Sequence, residues 1–155
     1  MHWRDKLLLG FCRVAPAGLS PIMPGTCGSL VAALLAPLIF LPLSFPARLV
    51  ALVALFVAGS LASTRAAHLL GKKDPGEIVI DEVLGQWLTY APFAVLSWPQ
   101  IFLGFVFFRL FDMAKPWPVK ASEHWLPGGY GIMIDDAVAA GYAAPCLWLA
   151  IYCIW

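Results

Sequence analysis

The sequence has 155 residues, of which 61% are hydrophobic and only 12% are charged. Soluble domains contain about 45–50% apolar and about 25% charged residues, so this chain has too few charges to cover a water-facing surface. The missing solvent is therefore lipid, and the length suits one domain, 1–155, rather than two. The net charge of +1 excludes nucleic acid as a partner attracted by bulk electrostatics.

The first apolar run does not have the pattern of a secretory signal peptide. Basic residues precede it, but the run from Leu7 to Cys12 is short and Arg13 interrupts it. No cleavage site of small residues follows. We therefore expect all later apolar segments to remain in the mature protein.

Five apolar segments follow in chain order. They cover about residues 28–45, 49–67, 83–98, 101–113 and 134–155. A helix needs about 20 residues to cross the hydrocarbon layer, so the third and fourth segments are short for a crossing. They either recruit flanking polar residues or form a hairpin that spans part of the bilayer, with Ser97-Trp98-Pro99 as its turn. The predicted fold class is all-α, a polytopic membrane bundle of about five hydrophobic helices with short cytoplasmic loops.

The charged residues predict the orientation of these helices. Basic residues precede the first segment, follow the second and follow the fourth: Arg4, Lys6, Arg13, Arg65, Lys72, Lys73, Lys115 and Lys120. Five alternating crossings put these groups on one face, which the positive-inside rule assigns to the cytoplasm. Arg48 falls on the far side. The acids obey the same partition, including Asp74 in the second cytoplasmic stretch.

Carboxylates gather at three helix ends. Asp81 and Glu82 open the third segment, Asp112 closes the fourth, and Asp135 and Asp136 open the fifth. Because the fourth helix runs towards the cytoplasm and the others run away from it, all three ends can meet there. Capping explains one acid at a helix start, but it explains neither two acids nor an acid at the negative C-terminal end. Oxygen-rich clusters suit Mg²⁺ or Mn²⁺, so we predict a metal site, with caps and salt bridges as the alternative.

Two basic residues accompany the acid that closes the fourth segment. Arg109 precedes Asp112 by three residues on the same helical face, so it either forms an intrahelical salt bridge or has a functional role. The planar guanidinium group suits bidentate contact with a phosphate. Lys115 lies just before Pro116, where the helix must end, and either reaches the same anion or is an ordinary interfacial lysine.

A loop rich in proline and glycine, residues 18–29, precedes the first segment. Its prolines stiffen the backbone and its glycines permit close approach. Thr26 and Ser29 offer hydroxyl groups at a helix N-terminus, which is a natural anion site; a rigid structural turn with a hydroxyl cap is the alternative. No GK[ST] motif follows, so the loop is not a P-loop. His68 and His124 lie on the predicted cytoplasmic side, as interfacial residues or as proton carriers.

Taken together, these motifs resemble the phosphatidylglycerophosphatase A family. The matching stretches are Ser20-Pro21 through Gly28-Ser29-Leu30, Ile80-Asp81-Glu82, Phe108-Arg109 through Asp112, Lys115-Pro116-Trp117-Pro118, and Gly128-Gly129-Tyr130-Gly131 through Asp135-Asp136. They extend from residue 18 to about 141. Five motifs in this order make the resemblance specific, whereas the segments between them match only in hydrophobicity.

The resemblance implies a Mg²⁺-dependent phosphatase of bacterial phospholipid synthesis. Such an enzyme hydrolyses phosphatidylglycerophosphate to phosphatidylglycerol and inorganic phosphate at the cytoplasmic side of the inner membrane. The predicted catalytic residues are Asp81, Glu82, Arg109, Asp112, Asp135 and Asp136, and the five acids among them are the predicted ligands of Mg²⁺ or Mn²⁺. The predicted substrate contacts are Thr26, Ser29, Arg109 and Lys115. Attack by water and an aspartyl-phosphate intermediate both remain open.

Two other classes of function are weaker alternatives. Another metal-dependent lipid enzyme, a CDP-alcohol phosphotransferase, also places carboxylates at cytoplasmic helix ends, but its D-G-x-x-A-R…G-x-x-x-D-x-x-x-D pattern is absent from this sequence. A non-enzymatic transport or assembly subunit is the second alternative. Transporters tend to contain repeats and midplane polar sites, whereas these charges lie near one face. The oligomeric state stays open.

Overall fold

The computed structural model describes residues 2–73 and 75–154. No strand occurs within these ranges, and the predicted all-α class is confirmed. The α-helices are α1 (Trp3–Cys12), α2 (Pro24–Leu35), α3 (Phe45–Leu70), α4 (Ile80–Tyr90), α5 (Trp98–Ala114), α6 (Val119–Ser122) and α7 (Gly129–Ile154). A 3-10 turn at Ala17–Leu19 precedes α2, and a π turn at Ala36–Phe40 continues it. Asp74 and Trp155, which the predicted loops and segments include, lie outside the described residues.

Two helices, α3 and α7, are long and apolar enough to cross a bilayer. Each has 26 residues and is therefore roughly 39 Å long. The described ranges contain fewer candidate spans than the five predicted segments. The reason is length: α5 has 17 residues and α4 has 11, and α2 has 12 with a π turn of 5. Even 17 residues extend only about 26 Å, which is less than a hydrocarbon layer of about 30 Å.

The turn predicted at Ser97-Trp98-Pro99 was wrong, because Trp98 and Pro99 begin α5 and Ser97 is its N-cap. Ser97 and Gln100 form a capping box, and proline is tolerated in a first helical turn. The actual connection covers residues 91–97, since α4 already ends at Tyr90. Pro92 lacks the N–H group that would continue the helical hydrogen bonds beyond that residue.

The last helix, α7, begins at Gly129, five residues before the predicted start of the fifth segment. Gly128 has a positive φ of 59°, which glycine adopts without strain, and the N–H of Gly129 donates to Thr64 Oγ at 2.8 Å. The earlier start places Asp135 and Asp136 in the second turn of α7 rather than in its first.

The packing of α7 against α3, α4, α5 and α6 organises the bundle. At Gly85 of α4, a Cβ atom would lie 2.4 Å from the ring of Phe108 and 3.0 Å from the carbonyl oxygen of Asp136. A Cβ atom would clash there, so glycine lets α4, α5 and α7 pack closely within one turn of Glu82, Asp112 and Asp136.

The N-terminal helix α1 is an element that the five-segment prediction does not contain. It packs on α3, and Asp5 lies 3.6 Å from Arg65 of that helix. At its end Arg13 forms an ion pair with Glu77, and the carbonyl of Cys12 accepts a hydrogen bond from Val79 at 2.8 Å. These contacts hold the chain that leads into α4.

Arg48 lies near the start of α3, at the end of that helix opposite His68 and Thr64. The guanidinium group is turned inward, and the residue is only 5% exposed. It donates hydrogen bonds to the backbone carbonyls of Leu41, Leu43, Ala91, Phe93 and Ala94. The residue therefore ties the α2–α3 connection to the α4–α5 connection.

Candidate active site

The three predicted groups of acids come together at one end of the bundle. Asp81 and Glu82 lie in the first turn of α4, while Asp112 lies in the last turn of α5. Asp135 and Asp136 approach from α7. Side-chain capping does not explain the arrangement, because Val79 occupies the N-cap position of α4 and the acids of α7 lie beyond its first turn.

The carboxylates form two overlapping groups that share Asp136. In one group, oxygens of Asp81, Glu82 and Asp136 lie within 4.8 Å of one another, and in the other the same holds for Asp112, Asp135 and Asp136. Asp112, Asp135 and Asp136 are at most 8% exposed. Buried carboxylates this close together repel one another unless a cation lies between them.

Several of these oxygens are buried without a hydrogen bond. Asp81 Oδ1, Glu82 Oε2 and Asp136 Oδ2 have no hydrogen-bond partner among the residues that the structure describes. Burial, and then the neighbouring charge of Glu82, raise the pKa of Asp81 well above its usual range. Burial also raises the pKa of Glu82. Buried polar atoms are normally satisfied, so three unsatisfied oxygens in one cluster indicate a binding site.

Arg109 belongs to α5, and its side chain extends behind this cluster towards α4. Its Nη1 donates to Asp112 Oδ2 at 2.5 Å and lies 3.8 Å from Glu82 Oε1. The same nitrogen donates to Ser29 Oγ at 3.5 Å, whereas the buried Nε has no acceptor within the described ranges. The i, i+3 salt bridge is therefore present, and the guanidinium group also joins acids of two helices.

Lys115 joins the acids from the other side. It ends α5 in the left-handed conformation, with φ at 43°, and Pro116 follows. Its Nζ donates to Asp135 Oδ2 at 2.8 Å and to Glu123. Burial alone would lower the pKa of Lys115, but the hydrogen bonds to these two carboxylates outweigh it and raise the pKa. The ammonium group is therefore charged.

Glu123 is a residue of this site that sequence reasoning missed. It follows α6 and is eight residues beyond Lys115. Lys115 and Glu123 do not belong to one continuous helix, because α5 ends at Ala114 and α6 is a separate helix of four residues, so the contact is made across this turn. The signal in the sequence was only an acid within the predicted cytoplasmic stretch.

The stretch predicted as a substrate-binding loop, residues 18–29, is a loop only in part: α2 begins at Pro24 rather than at about residue 28, so Thr26 and Ser29 lie in the first two turns of this helix, behind Arg109. The hydroxyl of Ser29, which is fully buried, donates to the carbonyl of Gly25 at 3.0 Å. Thr26 Oγ1 is buried and has no partner in the described part of the chain. A Cβ atom at Gly25 would lie 2.1 Å from Glu82 Oε1, so glycine there lets the first turn of α2 approach this carboxylate.

A cavity of about 750 Å³ opens in front of the carboxylates. The polar side chains that line it are Lys73, Asp81, Glu82, Asp112, Lys115, Glu123, His124, Asp135 and Asp136. Arg109, Thr26 and Ser29 are not part of this wall as far as the described residues define it. His68 lines a smaller neighbouring cavity of about 450 Å³. The predicted acids and Lys115 thus line one cavity, while the predicted substrate contacts Arg109, Thr26 and Ser29 do not line it.

The fold and the site define a class: an all-helical protein with two bilayer-length helices and a buried carboxylate centre at one end. The family description "Phosphatidylglycerophosphatase A" matches residues 11–151. The chain therefore belongs to the phosphatidylglycerophosphatase A family.

Individual relatives cover most of the chain. It is 40% identical to phosphatidylglycerophosphatase A of Escherichia coli over 85% of this chain and 76% of that protein. It is 36% identical to phosphatidylglycerophosphatase A of Haemophilus influenzae over 82% of this chain and 78% of that protein. A Bacteroides thetaiotaomicron protein, provisionally named a phosphatidylinositol-3-phosphatase, is 35% identical over 82% of both chains. No solved structure matches the chain significantly.

Proposed function

We propose that the protein is a metal-dependent phosphatase that hydrolyses phosphatidylglycerophosphate to phosphatidylglycerol and inorganic phosphate. The observation that carries this proposal is the pair of carboxylate groups sharing Asp136, with three oxygens beside a cavity that have no hydrogen-bond partner among the described residues. Membership of the family and the names of the Escherichia coli and Haemophilus influenzae relatives support the choice of substrate.

The donor set fits a hard divalent cation. Every candidate ligand is a carboxylate oxygen, which suits Mg²⁺ or Mn²⁺. The residues that would hold the ion are Asp81, Glu82, Asp112, Asp135 and Asp136. When bound, the ion supplies Lewis-acid polarisation of the phosphoryl group and lowers the pKa of a bound water.

The protein's own residues would then bind the phosphate and move the proton. Lys115 lies on the cavity wall, so its ammonium group neutralises phosphoryl oxygens. Asp81 Oδ1 or Glu82 Oε2, neither of which has a hydrogen-bond partner in the described part of the chain, accepts a proton from the attacking water. The water oxygen bonds to phosphorus, the bond from phosphorus to the glycerol oxygen breaks, and that oxygen takes up a proton, from the protonated carboxylate or from solvent, and leaves as the alcohol. Attack by an aspartate in place of water is the competing course.

Arg109 would act on the carboxylates from behind. By contacting Asp112 and Glu82 together, it holds acids of α5 and α4 in a fixed relation. The direct phosphate contact predicted from the sequence stays a prediction, as do the contacts of Thr26 and Ser29. Ser29, which accepts a hydrogen bond from Arg109, would support this position of the guanidinium group.

We further propose a multi-pass arrangement in the bacterial cytoplasmic membrane, with the site on the cytoplasmic side. The basic residues Lys72, Lys73, Lys115 and Lys120 lie in connections at the end that carries the acids. α3 and α7 would span the bilayer, and the shorter α2, α4 and α5 would complete the five-segment bundle.

Thiol labelling of intact cells tests this orientation. Arg48 is buried and so is unsuitable as a labelling position. The probe for the far side is therefore a cysteine at Val95, which is 84% exposed in the α4–α5 connection. Trp117, 82% exposed beyond α5, is the matched probe at the other end. An impermeant thiol reagent should label Val95→Cys and spare Trp117→Cys until the cells are broken. The reverse pattern would refute the orientation.

A related lipid phosphate is the second candidate substrate, because of the name carried by the Bacteroides thetaiotaomicron relative. Purified protein in mixed micelles should release phosphate from phosphatidylglycerophosphate in Mg²⁺ or Mn²⁺ and stop in EDTA. Phosphatidylinositol 3-phosphate forms a parallel arm of the assay. Faster release in that arm would overturn the proposed substrate while keeping the chemistry, and full activity in EDTA would overturn the metal dependence.

A further inference from the structure

An apolar stripe runs along one face of α5. Phe102, Val106, Leu110 and Met113 follow one another at intervals of four, four and three residues, which places them on one side of a helix. They are 63%, 41%, 55% and 60% exposed, so the rest of the described chain leaves this stripe uncovered. In a bilayer such a stripe contacts acyl chains.

The end of this stripe belongs to the carboxylate cavity. Met113 lines that cavity next to Asp112. Leu126, which is 40% exposed and follows α6, also lines it. Two exposed apolar side chains are therefore part of a wall that otherwise carries many charges. They provide an apolar edge to a site whose centre is polar.

A second exposed stripe, on α3, provides the contrast. Val50, Val53, Val57 and Leu61 are between 43% and 70% exposed. The next residue on that face is Arg65, which lies beside Asp5 of α1. None of these four apolar residues lines the carboxylate cavity as the described residues form it. Contact with lipid alone therefore does not require a stripe to end at the site.

The length of the α5 stripe matches one leaflet. The 11 steps from Phe102 to Met113 rise roughly 16 Å along the helix. Half of a hydrocarbon layer of about 30 Å is about 15 Å. A lipid whose chains lie along this stripe therefore has its headgroup at the level of the cavity.

We propose that the acyl chains of the lipid substrate lie along the α5 stripe and that the phosphorylated headgroup enters the cavity between Met113 and Leu126. This inference rests on the proposed function in taking the substrate to be a lipid phosphomonoester. The lipid reaches the site laterally from its own leaflet and does not leave the bilayer. Met113 and Leu126 then select substrates that carry acyl chains.

The first test compares turnover of a lipid and of a soluble phosphomonoester. Met113→Gln and Leu126→Gln should each lower the ratio of turnover on long-chain phosphatidylglycerophosphate to turnover on glycerol 3-phosphate by about tenfold, equivalent to about 1.4 kcal/mol. Met113→Leu, which keeps an apolar side chain of similar size at this position, should keep the ratio near that of the wild type. Leu61→Gln, on the α3 stripe, is the matched control and should leave it unchanged. Equal ratios in all four variants would overturn the inference.

The second test measures binding and does not depend on turnover. In a background whose four native cysteines are replaced by alanine, Met113→Cys and Leu61→Cys are alkylated by a maleimide in detergent micelles containing Mg²⁺, over times short compared with hydrolysis of the lipid. Long-chain phosphatidylglycerophosphate should slow alkylation at position 113 at least fivefold relative to position 61, and glycerol 3-phosphate should not. Equal protection at the two positions would refute the inference even if phosphatase activity is present. Absence of phosphatase activity on every substrate, with selective protection retained, would instead refute the proposed function.

Discussion

Arg48 and Arg109 are two arginines in apolar helices, at opposite ends of the molecule. Arg48 donates from all three of its guanidinium nitrogens to five backbone carbonyls. Arg109 contacts carboxylates instead, and its Nε has no acceptor within the described residues. The carbonyls around Arg48 belong to two chain connections, while the acids around Arg109 line a cavity.

This difference distinguishes a structural polar network from a functional one. A buried network whose donors and acceptors are all paired contributes to stability and specifies one arrangement. A buried network that leaves carboxylate oxygens unpaired loses stability unless a ligand completes it. Substitutions at the two ends should therefore separate: changes at the carboxylate end reduce turnover, and changes at the Arg48 end reduce the free energy of unfolding.

The largest effect is expected for Asp136→Asn, because Asp136 belongs to both carboxylate groups. The change keeps the shape of the side chain but removes a negative charge from the shared position. Turnover should fall by roughly 10³-fold or more, which corresponds to several kcal/mol of metal-assisted stabilisation. The melting temperature measured in EDTA should stay equal or rise, because repulsion between neighbouring carboxylates is relieved.

A folded Asp136→Asn protein with turnover near that of the wild type would break the assignment of the carboxylates to the reaction. Leu61→Asn is a useful comparison, since it adds an amide on the exposed stripe of α3, away from the cavity. It should leave turnover per folded molecule unchanged.

A smaller loss, about 10–100-fold in turnover, is expected for Arg109→Lys. Lysine can still pair with Asp112 at i, i+3, but one ammonium group does not reproduce the planar contact with acids of two helices. If Arg109 positions the carboxylates, the Mg²⁺ concentration for half-maximal activity should rise several-fold. If it grips phosphate directly, the loss should appear in kcat without that rise. Turnover and Mg²⁺ dependence both equal to the wild type would leave Arg109 with only a structural role.

The smallest effect on turnover, less than about twofold, is expected for Arg48→Lys. This variant should instead lose stability, because three ammonium donors cannot satisfy five carbonyls. Two carbonyls left unpaired cost about 1–3 kcal/mol each, so the free energy of unfolding should fall by about 2–6 kcal/mol. Denaturation in detergent measures the free energy of unfolding, and an activity assay normalised to the amount of folded protein measures turnover. A stable variant that is inactive would contradict the contrast between the two arginines.

The gathering of the acids was predictable because it depends on simple geometry. Helices that alternate in direction bring the start of one and the end of the next to the same side, so Asp81 and Asp112 had to lie at one end of the bundle. The same end must also contain Glu82, which is adjacent to Asp81. It must contain Asp135 and Asp136 as well, because they open the next helix in the alternation. The salt bridge of Arg109 with Asp112, one of the two alternatives given for Arg109, likewise needed only the period of a single helix.

Other features depend on contacts between distant parts of the chain. The carbonyls around Arg48 belong to chain connections, and the hydropathy of the sequence does not predict the path of these connections. The charge of Arg48 therefore indicated on which side of the membrane the residue lies, but not that its side chain is buried. The pairing of Lys115 with Glu123 crosses a turn and has no periodic signature. The spans were over-counted because hydropathy detects apolar segments, whereas a crossing requires a long uninterrupted helix.

The central claim is that the carboxylate end is a metal centre rather than a set of helix caps and salt bridges. Electron paramagnetic resonance of Mn²⁺ titrated into the purified protein tests it most directly. The wild type and Arg48→Lys should both show saturable Mn²⁺ binding that Mg²⁺ displaces, while Asp136→Asn should show a large loss of affinity. Absence of saturable Mn²⁺ binding in folded wild-type protein that is still active in EDTA would contradict the claim.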